Sequence, residues 1–124
     1  MTAYAKVIGT GGYLPAEIKT NEDISRTVDT SDSWIFERTG IKSRRIAAKD
    51  ETASSMAEIA ARQAIDMAGI DPKDIDLIIV ATGTPDNIYP STGCMLQHRL
   101  GIKESIAFDI QAACSGSIFG MDMA

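Results

Sequence analysis

The segment IDLIIVA, residues 75–81, constrains the fold of this chain most strongly. Its apolar, β-branched run is typical of a strand buried on both faces of a sheet. A second run of this kind, IAFDI, occupies residues 106–110. Apolar residues at helical spacing predict a helix before each strand, over residues 52–68 and 91–100, each ended by a glycine. Alternating helices and apolar strands predict an α/β layered fold with substantial parallel pairing.

The first part of the chain carries shorter signals. Residues 6–8 (KVI) predict a short strand that runs into a glycine-rich turn. Capping-box spacing at Thr20 predicts a helix through about Val28. Residues 30–33 (TSDS) supply a second set of N-cap residues, for a helix that ends at Gly40.

Composition indicates a soluble globular domain. Of the 124 residues, 44% are hydrophobic and 23% charged, and no apolar run approaches the roughly 20 residues that cross a bilayer. The start lacks the features of a secretory signal. The two cysteines are too few for a disulfide framework, so we expect free thiols and a cytoplasmic location. A net charge of −5 argues against general nucleic-acid binding.

Basic residues are concentrated in one short window. Five of the 12 fall within 12 consecutive positions. The window is either a solvated charged face or a local site for a phosphate-bearing ligand or an acidic protein. Its members are Arg38, Lys42, Arg44, Arg45 and Lys49.

Cys114 is the strongest candidate for chemistry. It follows the second predicted strand and precedes a presumed helix, where ligands gather in open α/β sheets. Free backbone N–H groups and the helix dipole at that point favour the nucleophilic thiolate. Small neighbours suit a strand–turn–helix elbow that exposes the sulfur. A buried, inert cysteine fits this context equally well, because free cysteines are often core residues.

The remaining candidates have simpler interpretations. Cys94 lies inside a predicted helix and is expected to fill the core. His98, the only histidine, is expected to be a surface or local hydrogen-bonding residue rather than a catalytic base for a thiol. Metal-ligand spacing and a complete dinucleotide-binding glycine motif are both missing from the sequence.

Trp34 and Arg38 are four residues apart and share one face of a predicted helix. An indole and a guanidinium on one face could hold a planar base between them by stacking and cation–π attraction. The basic window could then contact that nucleotide's phosphates. A core tryptophan beside an exposed arginine is the alternative.

Three stretches together resemble β-ketoacyl-acyl carrier protein synthase III, an initiating condensing enzyme of fatty-acid synthesis with the thiolase fold. They are TSDSWIFERTGIKSRRIA (30–47), TGTPDNIYPSTGCMLQHRLG (82–101) and DIQAACSGSIFG (109–120). The resemblance covers only the first part of a family member. It implies that residues 1–124 form an incomplete N-terminal thiolase-like half with a mixed, largely parallel sheet. An insertion at about 13–52 would carry the CoA-contacting helix.

The resemblance also implies roles for individual residues. Cys114 would take an acyl group from a short acyl-CoA, for decarboxylative condensation with malonyl-acyl carrier protein. Trp34 and Arg38 match positions that hold the CoA adenine between them, and Thr30 matches a further CoA contact. Tyr89 matches an aromatic position that reaches the partner's acyl pocket in the family's homodimer. Acyl-CoA is a substrate, so no cofactor is implied.

The catalytic histidine and asparagine of the family come from its second half, and His98 does not match that histidine. We therefore expect this chain alone to be inactive in condensation, and to aggregate or to pair with a complementary C-terminal half. The chain stops within an apolar helix, as expected of the front part of a longer protein. The alternatives are a related condensing enzyme of polyketide, quinolone or hydrocarbon synthesis, a non-catalytic binding or dimerisation module, and a structural domain with Cys114 in its core.

Overall fold

The structure, a computed structural model, describes residues 4–124. Residues 1–3, which the predicted half includes, lie outside the described residues. The chain divides into a smaller unit, Leu14–Glu51, and a larger unit formed by Thr52–Ala124 and the residues before Leu14. The predicted insertion at about 13–52 extends one residue beyond the smaller unit at each end. None of the helices in the described part of the chain has the length and apolar character needed to cross a bilayer.

The smaller unit contains strand β1 (Glu17–Thr20), helix α1 (Asn21–Ser25), helix α2 (Asp32–Thr39) and strand β2 (Ser43–Ile46). The two strands pair antiparallel. Neither strand is predicted from the sequence, because SRRI and EIKT carry no apolar run.

Both predicted helices of the smaller unit are present. The capping box at Thr20 forms, but α1 ends at Ser25 rather than at about Val28. The N–H groups of Thr27 and Val28 both donate to Ile24 O at 3.0 Å, and this shared acceptor closes the helix early. Helix α2 begins and ends as predicted, with Ser31 as N-cap and Gly40 at a positive φ of 69° after its last turn.

A buried asparagine joins the elements of the smaller unit. Asn21 is 1% exposed, and its Nδ2 donates to Asp32 Oδ1 at 2.7 Å and to Ile41 O at 2.8 Å. Its Oδ1 accepts from Arg44 Nη2 at 2.8 Å, and Arg44 Nη1 donates to Lys19 O. All of these polar groups are therefore satisfied within one small network.

The larger unit contains α3 (Ala53–Ala68), β3 (Leu77–Ala81), α4 (Thr92–Leu100), β4 (Ile106–Ile110) and α5 (Gly116–Met123). Short 3₁₀ turns at Pro72–Asp74 and Ala113–Ser115 precede β3 and α5. Strands β3 and β4 are parallel, with Leu77 opposite Ile106 and Ala81 opposite Ile110. The predicted helices over 52–68 and 91–100 and both predicted strands are confirmed.

The two faces of the parallel pair differ in their cover. On one face α4 packs against both strands and α3 packs against α4. The core there consists of Ile65, Ile78, Leu96, Leu100 and Ile102. Helix α5 lies on the opposite face, against β3. That face is only partly covered, and Ile106 remains 67% exposed, so the predicted burial on both faces holds for one face only.

The strand predicted at residues 6–8 is not present. These residues have no strand partner among the described residues, and the segment after them runs along α3 instead. A Cβ at Gly9 or Gly11 would clash with the carbonyl oxygens of Ala64 or Ala60. Gly12 N donates to Gln63 Oε1 at 3.1 Å. The segment is therefore held by contact with a helix rather than by a sheet.

Candidate active site

Cys114 lies on an elbow between β4 and α5. Strand β4 ends at Ile110, the 3₁₀ turn Ala113–Ser115 follows, and α5 begins at Gly116. Cys114 is exposed, and the residue before it, Ala113, has a positive φ of 44°. A residue with a Cβ is strained in that region, and such strain is typical of elbows that present a functional side chain.

The elbow is at the carboxyl ends of both parallel strands. Thr82 N, just beyond β3, donates to Ile110 O at 3.1 Å, so the two strands end together. Gly116 lets α5 approach closely, because an added Cβ would lie 3.0 Å from the Cβ of Ala81. Among the described residues, no side chain caps the first turn of α5, although the N–H groups of Ser115 and Gly116 donate to Ala112 O and Ala113 O. The location predicted for Cys114 is confirmed; its role as nucleophile stays a prediction.

Tyr89 lies in the loop between β3 and α4. Ile88 and Tyr89 are 99% and 91% exposed, so the loop presents two large side chains to its surroundings. Asp86 anchors the loop to the start of α3, where its carboxylate accepts from Ser54 N at 3.1 and 3.3 Å. Burial acts to raise the pKa of Asp86, but hydrogen bonds from Ser54, Thr52 and Ala53 N–H together hold it below its ordinary value.

A second carboxylate anchors the other end of this loop. Asp109 on β4 accepts from Thr92 N at 2.8 Å and from Gly93 N at 2.6 Å, the first two N–H groups of α4. The sequence analysis does not identify Asp86 or Asp109. Each is a lone aspartate whose partners are distant in sequence, so no local pattern points to it.

The predicted CoA contacts lie in the smaller unit. Thr30 and Trp34 line a cavity of about 580 Å³ together with Ile24, Val28, Asp29, Ser31 and Ile35. The hydroxyl of Thr30 is buried and has no hydrogen-bond partner among the described residues. Trp34 is 53% exposed, so it is not the core tryptophan of the alternative interpretation.

Arg38 and Trp34 share one face of α2, as predicted. The guanidinium carbon of Arg38 is 4.3 Å from the centre of the Trp34 ring, so the two groups are in direct cation–π contact. No space for a base is left between them in this arrangement, which differs from the predicted sandwich. The cavity with Thr30 includes Trp34 but not Arg38.

The basic side chains at positions 38–49 differ in their contacts. Arg44 donates to Asn21 and Lys19, and Arg45 Nη1 donates to Pro15 O and Ala16 O at 3.1 and 3.2 Å. Lys42 Nζ is 5.2 Å from the centre of the Phe36 ring. Two of the five basic side chains therefore hydrogen-bond within the smaller unit, where they hold its backbone in place.

The prediction that Cys94 fills the core is wrong. Cys94 is exposed and its Sγ is 3.6 Å from Ala107 O. The buried face of α4 carries Gly93, Leu96 and Leu100, at helical spacing, and position 94 lies beside that face. Cys94 instead lines a groove of about 560 Å³ together with Glu58, Pro90, Met95, His98 and Arg99.

His98 is exposed on α4, in agreement with the prediction of a surface histidine. It lines the same groove as Cys94. Within residues 4–124 there is no group of three or more His, Cys, Asp or Glu side chains that could hold a metal ion.

Comparison with known proteins identifies close relatives. No family model matches the chain. The β-ketoacyl-[acyl-carrier-protein] synthase III of Methylococcus capsulatus is 60% identical over 124 residues, which is 100% of this chain and 39% of that protein. The chain thus spans well under half the length of this curated relative.

Solved structures match in fold as well. The 3-oxoacyl-[acyl-carrier-protein] synthase III of Aquifex aeolicus superposes with a TM-score of 0.91 at 53% identity, over 95% of this chain and 38% of that one. The priming β-ketosynthase of the R1128 polyketide pathway gives the same TM-score, 0.91, at 39% identity, over 96% of this chain and 36% of that one. The predicted α/β, thiolase-like fold class is confirmed. In sequence and in fold, the chain is similar to part of β-ketoacyl-[acyl-carrier-protein] synthase III.

Proposed function

We propose that this chain carries the nucleophile of a condensing enzyme that initiates fatty-acid synthesis. The single observation that supports this most is the elbow. Cys114 is exposed where two parallel strands end and α5 begins, after a residue with a positive φ. A thiol there meets the geometric requirement of a nucleophile, because it is accessible at the end of a strand and before a helix.

In the proposed first step, the Cys114 thiolate attacks the thioester carbonyl carbon of acetyl-CoA or another short acyl-CoA. The bond from that carbon to the CoA sulfur breaks, and CoA leaves as a thiolate that takes up a proton. The acyl group remains on Cys114 Sγ as a thioester. The backbone N–H of Cys114 would donate to the oxyanion that forms during this transfer.

In the second step, malonyl-acyl carrier protein loses carbon dioxide, and the resulting carbanion attacks the acyl carbon on Cys114. The bond from that carbon to Cys114 Sγ breaks, so a β-ketoacyl-carrier protein forms and Cys114 is released as a thiolate. The developing negative charge requires hydrogen-bond donors. We propose that a complementary C-terminal half supplies them as a histidine and an asparagine, so that residues 1–124 alone do not catalyse condensation. No cofactor is needed, because acyl-CoA is a substrate.

Binding of CoA is assigned to Thr30, Trp34 and Arg38. Because Arg38 covers one face of the Trp34 ring, we propose that the adenine stacks on the other face, beside the cavity that Thr30 lines. The unpartnered hydroxyl of Thr30 would then hydrogen-bond to the base. Arg38 would remain in place and face the phosphates. Tyr89, on an exposed loop, would reach the acyl pocket of the partner in a homodimer.

A second candidate is the priming enzyme of polyketide synthesis. The R1128 priming β-ketosynthase matches this chain with the same TM-score as the Aquifex synthase. Both candidates use Cys114 in the same way and differ in the acyl group that primes the reaction and in the carrier protein. A panel of acyl-CoA substrates of increasing chain length separates them.

The nucleophile is tested by acylation of the full-length gene product with radiolabelled acetyl-CoA. Label should appear on Cys114 and should be lost in Cys114→Ser. Because Cys94 is also exposed, accessibility alone does not distinguish the two thiols. Cys94→Ser is therefore the matched control and should retain full labelling. Label on Cys94, or labelling of Cys114→Ser, would contradict the proposed nucleophile.

A further inference from the structure

One side chain of strand β4 accepts hydrogen bonds from the start of helix α4. Asp109, the residue before the last one of β4, accepts from Thr92 N at 2.8 Å and from Gly93 N at 2.6 Å. Hydrogen bonds from backbone N–H groups to a carboxylate are charge-assisted and short, and they are among the stronger ones in proteins.

The start of α4 is held by several acceptors. The first four N–H groups of a helix have no partner within the helix. Asp109 accepts from two of them, Thr92 N and Gly93 N, and Ser91 Oγ accepts from a third, Cys94 N, at 3.2 Å. The start of α4 is therefore tied to β4 through Asp109.

Gly93 permits this close approach. A Cβ at Gly93 would lie 3.0 Å from both Phe108 N and Phe108 O and 3.2 Å from Asp109 Oδ1. A larger residue would push α4 away from β4 and lengthen the two hydrogen bonds. The contact is thus built from a matched pair, a carboxylate on the strand and a glycine on the helix.

The chain connects this contact to two proposed site residues. Tyr89 precedes Thr92 by three positions, and Cys114 follows Asp109 by five. Between Asp109 and Cys114 the chain completes β4 and enters the strained elbow at Ala113. A shift of Asp109 relative to α4 would change the distance between the nucleophile and the Tyr89 loop.

We propose that Asp109, seated against Gly93, is a positioning residue that sets the Cys114 elbow and the Tyr89 loop relative to each other. It touches no substrate. The proposal rests on the proposed function, because it takes Cys114 as the nucleophile and Tyr89 as an acyl-pocket residue. Misplacement of reacting groups by about 1 Å can cost a hundredfold in rate, so the position of the Cys114 elbow matters for acylation, while a displaced Tyr89 loop would alter the acyl pocket of the partner subunit.

The test uses Asp109→Asn in the full-length gene product, with acyl-enzyme formation measured for acetyl-CoA and longer acyl-CoA substrates. We expect the acylation rate per folded molecule to fall on the order of tenfold or more. The preference between acyl chains should change, because Tyr89 moves. The KM for acetyl-CoA should change little, because Thr30, Trp34 and Arg38 belong to the other unit. An unchanged rate per folded molecule and an unchanged chain preference would overturn the proposal.

Two further variants separate positioning from stability. Asp109→Glu keeps the carboxylate but lengthens the side chain by one methylene group, so it should fold and still lose rate. Wild-type kinetics in Asp109→Glu would count against positioning. Asp71→Asn is the matched control. In the turn before β3, Asp71 Oδ1 accepts a hydrogen bond from Lys73 N at 3.0 Å. Loss of this carboxylate should affect stability without changing the preference between acyl chains.

Failure of the proposed function can be distinguished from failure of the positioning role of Asp109. If the wild-type protein is not acylated at Cys114 by any acyl-CoA, hydrogen exchange of Asp109→Asn still tests the coupling. Faster exchange in both residues 84–95 and residues 111–118 supports it. Faster exchange confined to the first turn of α4 overturns it.

Discussion

At the scale of single residues, the stability of the smaller unit depends most on Asn21. Its side chain bridges α2, the segment after α2 and β2, through Asp32, Ile41 and Arg44. Asn21→Ala removes three hydrogen bonds from a part-buried network. Each lost hydrogen bond costs about 0.5–1.5 kcal/mol. We expect a large loss in the free energy of unfolding of this unit, measured by urea denaturation with Trp34 fluorescence as the probe.

Asn87→Ala is the matched control for this prediction. Asn87 is exposed, and its Nδ2 lies 3.5 Å from Met95 Sδ. The midpoint of its urea transition should stay close to that of the wild-type chain. Equal destabilisation by the two alanine variants would argue against the network around Asn21.

Single residues were predicted from sequence where a local pattern marks them. The elbow position of Cys114 follows from a strand end and small neighbours, and the shared face of Trp34 and Arg38 follows from their spacing. The prediction that Cys94 is buried was wrong because adjacent helix positions point in different directions. Position 93 lies on the buried face of α4, and position 94 lies beside that face. The roles of Asn21 and Asp109 are set by partners far away in sequence, which a single sequence does not reveal.

At the scale of elements, the N-terminal segment is held against α3 by glycines. Gly11→Ala would place a Cβ against Ala60 O and force the segment away from the helix. Such overpacking costs about 1–3 kcal/mol. We expect a lower Tm and faster hydrogen exchange in residues 4–13. Gly12→Ala is the control, because a Cβ there has no atom within 4 Å. A Tm of Gly11→Ala equal to that of Gly12→Ala would refute this contact.

The attachment of the Tyr89 loop to α3 should depend on pH. The pKa of Asp86 is below its ordinary value of 3.8 in the folded chain. A lowered pKa contributes stability that is present above the unfolded value and is lost as pH falls through the folded one. Asp86→Asn should therefore cost about 1–2 kcal/mol at pH 7, as for loss of a helix cap, and much less at pH 2. Chemical denaturation at both pH values measures this; a difference independent of pH would contradict it.

Elements were predicted well where caps and periodicity agree. Helices α2, α3 and α4 have side-chain N-caps and a glycine after the last turn, and both kinds of signal are local. Strands β3 and β4 are marked by apolar runs. Strands β1 and β2 were missed because their pairing is a property of two segments, each polar by itself. The strand at residues 6–8 was predicted from composition alone, without an identified partner strand. In the structure this segment packs against helix α3 and does not join a sheet.

At the scale of the whole molecule, α5 leaves an apolar surface. Ile118 and Met121 are 61% and 63% exposed and lie three residues apart, so they adjoin on one side of the helix. Exposed apolar patches promote association in water. We expect the 124-residue chain to self-associate as its concentration rises, and Ile118→Gln with Met121→Gln to reduce this in light scattering.

Ile59→Gln is the control for self-association, because Ile59 is 42% exposed but lies on α3. Its association should match that of the wild-type chain. If Ile59→Gln reduces association as much as the α5 double variant does, the surface of α5 is not responsible. The full-length gene product should associate less in this way if a complementary half covers α5.

The backbone at Ala113 makes Cys114 a reporter of the folded state. A residue with a Cβ in the left-handed region carries a local cost of about 1–3 kcal/mol, which persists only while the surroundings enforce it. We expect this turn to relax when the ends of β3 and β4 separate, because its surroundings then no longer enforce the strained backbone. The alkylation kinetics of Cys114, measured in Cys94→Ser, should therefore report loosening of this end of the sheet.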